Sequence, residues 1–163
     1  MLRNRLRVAA LVLFATLSWG PVGATPLLSF TTDSLQRIQQ SHQGRPFLLI
    51  VWSLDCTSCV RELNTLADQV KRHPNLPLIM VSTDDPSRQP AVQAMLAKHG
   101  LDRLETWIFE EGNAQRLRYA IDKTWYGEMP RSYFYDASHQ RVPLSGVLTA
   151  DHIDAWLTAT HAS

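Results

Sequence analysis

Only two cysteines occur in the 163 residues. That is too few for a disulfide-dense small scaffold or for a four-cysteine zinc or iron–sulfur site. Charge of one sign is also missing: sixteen Lys+Arg stand against fifteen Asp+Glu, a formal net charge of +1. Nucleic-acid binding needs a concentrated basic surface, so that balance argues against a nucleic-acid partner. The six histidines (His42, His73, His99, His139, His152 and His161) are scattered without metal-ligand spacing. No metal site and no cofactor are expected from them. Hydrophobic residues make up 45% and charged ones 19%, an ordinary globular mixture rather than a disordered one. The length suits one domain.

The chain also lacks any acid before Asp33, while Arg3, Arg5 and Arg7 make its start basic. The apolar run from Val8 to Trp19 covers twelve residues. As a helix it would span about 18 Å, short of the ~30 Å hydrocarbon core. Gly20-Pro21 breaks it, and Val22-Gly23-Ala24 places small residues where a signal peptidase reads them. Residues 1–24 therefore read as a secretory signal, and 25–163 as one mature domain. An uncleaved anchor is the alternative, and only then would a membrane be a partner. Cleavage would remove three arginines, leaving 139 residues with thirteen basic and fifteen acidic groups. Export, with the periplasm as the destination, would put the two cysteines where a disulfide can persist.

Alternating apolar runs organise the mature part. Thr32-Asp33-Ser34 can cap a helix reaching about His42. Pro46–Trp52 is nearly unbroken apolar sequence, the pattern of a strand buried on both faces. A helix over 56–72 follows, with Val60, Leu63, Leu66, Ala67 and Val70 on one stripe. A second buried strand covers 76–82, and Asp84-Asp85 reads as a solvated turn before a helix ending at Gly100. Thr106–Phe109 is a short strand, and 113–120 a helix with Leu117 and Tyr119 to bury. Two strands, 132–135 and 141–144, form a hairpin, and a helix over 151–160 buries Ile153, Trp156 and Leu157. The alternation predicts an α/β domain with a central mixed β-sheet flanked by helices, its first strands parallel and its hairpin antiparallel.

Cys56-Thr57-Ser58-Cys59 sits where a buried strand turns into a helix. Residues three apart on a helix lie within disulfide reach. A helix N-terminus presents unpaired N–H groups and partial positive charge, favouring a thiolate at the first cysteine. Cys56 is then the attacking thiol and Cys59 the resolving one. A structural disulfide is the plain alternative, although so short a loop adds little entropy. A two-coordinate Cu(I) site is chemically compatible as well.

Val51-Trp52-Ser53-Leu54-Asp55-Cys56-Thr57-Ser58-Cys59 resembles the strand–Trp–CxxC–helix signature of the thioredoxin superfamily. Met129-Pro130-Arg131-Ser132-Tyr133-Phe134-Tyr135-Asp136 resembles the cis-proline segment of its exported branch, the TlpA, ResA and cytochrome-c-maturation type. The likeness extends over nearly the whole mature chain, with Gly146 and the closing helix in their expected places. It implies a thioredoxin-like fold and a thiol–disulfide oxidoreductase reducing protein disulfides, served by an upstream electron donor. Non-catalytic binding, such as Cu(I) carriage, and an oxidant are the other readings. The resemblance also implies a cis Met129–Pro130 bond facing the cysteines, with Met129, Pro130 and Trp52 shaping a groove where a substrate segment adds as a strand.

The chain departs from the pattern in several places. Ile50 replaces the buried Asp that relays a proton in thioredoxins, six residues before the first cysteine. Asp55 replaces an aromatic just before it; its charge opposes a Cys56 thiolate that the helix terminus favours, unless it turns away to cap the helix. Glu128 occupies a common glycine position, with Gly127 displaced by one, and Met129 replaces Thr or Val. Asp55 and Glu128 are therefore candidates for tuning the thiol. Trp52, Trp125 and Tyr126 are candidates for an apolar rim, whereas Trp107 and Trp156 suit the core.

Overall fold

A computed structural model describes residues 25–161. The predicted signal segment lies outside them. The elements run β1 (Leu28–Phe30), α1 (Ser34–Ser41), β2 (Phe47–Trp52), α2 (Thr57–Arg72), β3 (Leu78–Ser82), a 3-10 turn (Pro86–Arg88), α3 (Gln89–Lys98), β4 (Glu105–Phe109), α4 (Ala114–Ile121), β5 (Arg131–Tyr135), β6 (Arg141–Ser145) and α5 (Ala150–His161). The strands form one sheet in the order β1-β4-β3-β2-β5-β6. β1, β4, β3 and β2 pair in parallel. β5 and β6 join antiparallel, Val51 facing Arg131 and Arg131 facing Ser145.

The central position of β2 explains its unbroken apolar sequence. Leu48, Ile50 and Trp52 point into one core with Leu63 and Leu66 of α2, Leu96 of α3 and Ile153 of α5. Phe47, Leu49 and Val51 point into the other, with Ile38 of α1 and Leu117 and Ile121 of α4. All six β2 residues are buried. The period of two thus sorts one run into two cores. Among the described residues, no helix is long and apolar enough to cross a membrane.

Three expectations need correction. β1 is a sixth strand that the sequence pattern did not reveal: it has three residues, of which only Phe30 is buried. Tyr119 is exposed, because α4 buries Leu117 and Ile121, one turn apart, and leaves the position between them facing out. Asp84 is no solvated residue; only 4% of it is exposed.

Candidate active site

β2 delivers the dithiol. After Trp52 the chain leaves the sheet through Ser53-Leu54-Asp55 and enters α2, with Cys56 at the N-cap. The Cys56 and Cys59 side chains are joined as a disulfide, with Cα atoms 5.2 Å apart. Cys56 is half-buried and Cys59 is buried. The Cys59 N–H donates to Cys56 Sγ over 3.1 Å. A thiolate at Cys56 would meet that same donor, one of the four N–H groups that the first turn of a helix leaves unpaired.

Asp84, just beyond β3, holds the connecting loop. Its carboxylate accepts from the Ser82 hydroxyl at 2.7 Å, the Leu54 N–H at 3.0 Å and the Ser53 hydroxyl at 3.3 Å. Arg88 reaches Asp84 Oδ1 at 2.9 Å and forks onto both Asp55 oxygens at 2.6 and 3.1 Å. Asp55 therefore does not cap α2, a role taken by Cys56, and its charge is compensated. The Arg88 hydrogen bond keeps the Asp55 carboxyl below its ordinary range.

The proline segment leads into β5, which pairs with β2. Met129–Pro130 is cis. Val51 pairs with Arg131, so the next step of the register sets Pro130 beside Trp52. The Gly146 N–H donates to the Pro130 carbonyl at 3.0 Å. Met129 is half-buried and packs against both cores, and Cys56 packs against the core that holds Cys59. Gly127 has φ +99°, a backbone region that favours glycine.

Arg131 fixes this segment from inside. It donates to Asp122 at 3.0 Å, to Glu128 at 3.1 Å and to the Ser145 hydroxyl. Arg141 adds a contact to Asp122 at 3.1 Å, and both guanidinium groups lie over the Tyr133 ring. Burial works to raise the Asp122 carboxyl. The Thr124 N–H and hydroxyl, Arg131 and the Arg141 charge outweigh it and bring it to about 2. Glu128 thus faces Arg131 and Ser145, committed to this segment rather than to the dithiol.

The apolar rim is smaller than expected. Trp52 and Trp125 are buried, Trp125 donating its indole N–H to the Glu128 carbonyl at 2.8 Å, and of the three only Tyr126 is exposed, at 95%. Trp52 lies in the core cluster that holds Cys59. A concavity of about 520 Å³ lies instead near the starts of β2 and β3, lined by Pro46, His73, Leu76, Pro77 and Trp156. The dithiol has no part in it.

Glu62 was missed by the sequence reading. It is buried on α2, one turn beyond Cys59, and its Oε1 accepts the Leu148 N–H at 3.1 Å. Burial pushes its carboxyl up to about 7, against the pull of that N–H. The signal was present: Cys59, Glu62, Leu66 and Gln69 recur at spacings of three, four and three, and all four are buried. Ile50, where thioredoxins place an acid, is buried in the same core as Cys59.

No protein-family profile and no curated protein matches the chain. Solved structures do. A secreted Mycobacterium tuberculosis disulfide oxidoreductase homologous to Escherichia coli DsbE superposes with a TM-score of 0.55 and 18% identity, covering 76% of this chain and 86% of that one. A thiol:disulfide interchange protein of the thioredoxin family from Chlorobium tepidum gives 0.59 and 17%, covering 86% and 99%. StoA from Bacillus subtilis gives 0.51 and 17%, covering 71% and 84%. With the observed mixed sheet and its flanking helices, these similarities make the fold thioredoxin-like.

Proposed function

We propose that this chain is an exported thiol–disulfide oxidoreductase that reduces disulfides of protein substrates in the periplasm and is re-reduced by an upstream dithiol protein. The observation that carries the reading is the pairing of a half-buried Cys56 at the N-cap of α2 with a buried Cys59 bonded to it. The neighbours named as secreted or as interchange proteins support it, and so does the signal-like segment 1–24.

In the reduced protein, the Cys56 thiolate attacks one sulfur of a substrate disulfide. A mixed disulfide forms and the other substrate sulfur leaves as a thiolate. Cys59 then loses its proton and attacks Cys56 Sγ, releasing the second substrate thiolate and leaving the Cys56–Cys59 disulfide. Two electrons pass to the substrate, and the donor restores them. Glu62, buried one turn beyond Cys59 on the same face of α2, is the group assigned to take the Cys59 proton, and the burial that raises its carboxyl to about 7 suits it to that role. Met129, Pro130 and Tyr126 offer the substrate segment its wall.

The charges near the cysteine loop support a reducing direction. A cation free to stabilise the thiolate favours the reduced form and makes an oxidant. Arg88, beside the cysteine loop, is held by Asp55 and Asp84; Arg131, in the proline segment, by Asp122 and Glu128; and Arg61 of α2 donates to the Ser58 hydroxyl. The thiolate then gains mainly from the helix N-terminus. A redox titration is expected to fall toward the reducing end of the roughly −270 to −120 mV range of such folds, and a value near −120 mV would overturn the direction.

A further inference from the structure

We propose that Arg88 is a positioning residue for the nucleophile: it fixes the Asp55 carboxylate on the β3–α3 side of the dithiol and offsets its charge, so that the acid preceding Cys56 suppresses attack less. The inference rests on the role assigned to Cys56 above.

The geometry supporting it is a three-member bridge. Asp84 is buried and holds Leu54 and Ser53, so one end of the bridge is rooted in the fold. Arg88 is anchored on Asp84 and presents its fork outward. Asp55, whose side chain is 78% exposed, takes that fork with both oxygens. Arg88 belongs to the 3-10 turn Pro86–Arg88, which Asp85 caps through the Ser87 N–H at 2.9 Å. Asp85 and Ser87 thereby brace the turn that carries Arg88. Asp55, directly before Cys56 in the chain, is kept within one residue of the attacking sulfur yet paired.

The other charged groups on surrounding elements have separate partners or places. Arg61 of α2 donates to the Ser58 hydroxyl at 3.3 Å. Glu62 lies inward, against Leu148. Glu128 and Arg131 pair with each other across the proline segment. Asp55 and Arg88 are therefore the ion pair that adjoins Cys56 in the chain.

Breaking one ion pair from its two ends separates charge compensation from simple scaffolding. Asp55→Asn removes the negative charge and leaves Arg88 on Asp84. Arg88→Gln leaves two carboxylates without their cation. One uncompensated charge about 7 Å from the sulfur changes the thiolate population roughly threefold at a pH below its midpoint. Alkylation of the reduced protein by iodoacetamide, followed against pH, reads this directly and needs no substrate. Asp55→Asn is expected to react about threefold faster and with a lower midpoint, and Arg88→Gln about threefold slower with a higher one. Arg88→Lys is expected to keep the wild-type midpoint. Shifts of the same sign in the first two variants, opposite signs to those stated, or no shift in either would overturn the proposal. Should Arg88→Gln fail to fold, Asp55→Asn, altered at an exposed carboxylate, still decides by speeding alkylation or failing to. If the wild type turns over no disulfide substrate, the proposed function fails, while the alkylation shifts still report on the bridge.

Discussion

Two arginines fasten the two halves of the site, and they do so in different surroundings. Arg131 secures the proline segment from within, its side chain 9% exposed and bonded to Asp122, Glu128 and Ser145. Arg88 secures the cysteine loop from outside, its side chain 38% exposed and reaching outward to an Asp55 that is 78% exposed. An ion pair in water contributes little to stability, whereas a buried charge that loses its partner is costly. The contrast assigns the two arginines different work. Arg131 holds the fold that presents Pro130, and Arg88 adjusts the charge beside Cys56.

The largest expected effect comes from breaking the buried side. Arg131→Met takes from buried Asp122 one of its two cationic partners and leaves Glu128 without its arginine, and is expected to cost about 3 kcal/mol in urea denaturation, the lower end for a broken buried pair because Arg141 and Thr124 stay on Asp122. The same network makes stability depend on acid. Asp122 sits near 2 in the fold, below the 3.8 ordinary for an aspartate, so the folded state holds fewer protons between those values. Its contribution is full above about pH 4 and is lost as pH falls through about 2. Arg131→Met is expected to weaken that acid-dependent loss.

The division between inside and outside extends to the acids near the dithiol. Glu62 is buried where Asp55 is exposed. Glu62→Gln is expected to slow resolution of a mixed disulfide by about 10²-fold, the lower end of what a positioned base supplies. Its stability effect has a definite sign. With a folded value of about 7 against an ordinary 4.5, the folded state holds more protons in that window, and stability falls as pH rises through it. An uncharged amide at this position should remove the fall, so the Glu62→Gln variant gains on the parent between about pH 5 and pH 8. Equal gains at both pH values would contradict the buried, proton-holding carboxyl.

A smaller effect sharpens the comparison on the outer clamp. Asp84→Ala leaves the Leu54 N–H and the Ser53 hydroxyl without their acceptor and is expected to cost about 1–3 kcal/mol. Arg88→Gln should move the denaturation midpoint less than Arg131→Met, because Asp84 keeps Ser53, Leu54 and Ser82 as donors, while still changing the alkylation profile. A stability loss as large as that of Arg131→Met would erase the distinction between the two arginines.

Most of the fold was legible because its information is local. The unbroken 46–52 run, the α2 stripe and the turn residues around Gly100 each carry a period or a stop signal within a few residues. β1 was not, since three residues with one buried position carry no period. The site divides in the same way. Cys56, Cys59 and the Met129–Pro130 segment stood out as motifs. Asp84 and Arg88 did not, because their partners Ser53, Leu54 and Asp55 lie 30 or more residues away in sequence, and only the pairing of β2 with β3 brings the loops together. Asp55 consequently looked like an uncompensated charge. Glu62 was not singled out because the stripe was traced from Val60 and Leu63, and the neighbouring row from Cys59 through Glu62 to Leu66 was not followed.

Thiol exchange through Cys56, resolved by Cys59, is the centre of the account, and trapping tests it most directly. Reduced Cys59→Ser protein mixed with a protein disulfide such as insulin should accumulate a covalent adduct. Mass spectrometry should place the bond at Cys56, and added dithiothreitol should release it. An adduct that fails to form, while the wild type still turns the same substrate over, would contradict the assigned order of attack.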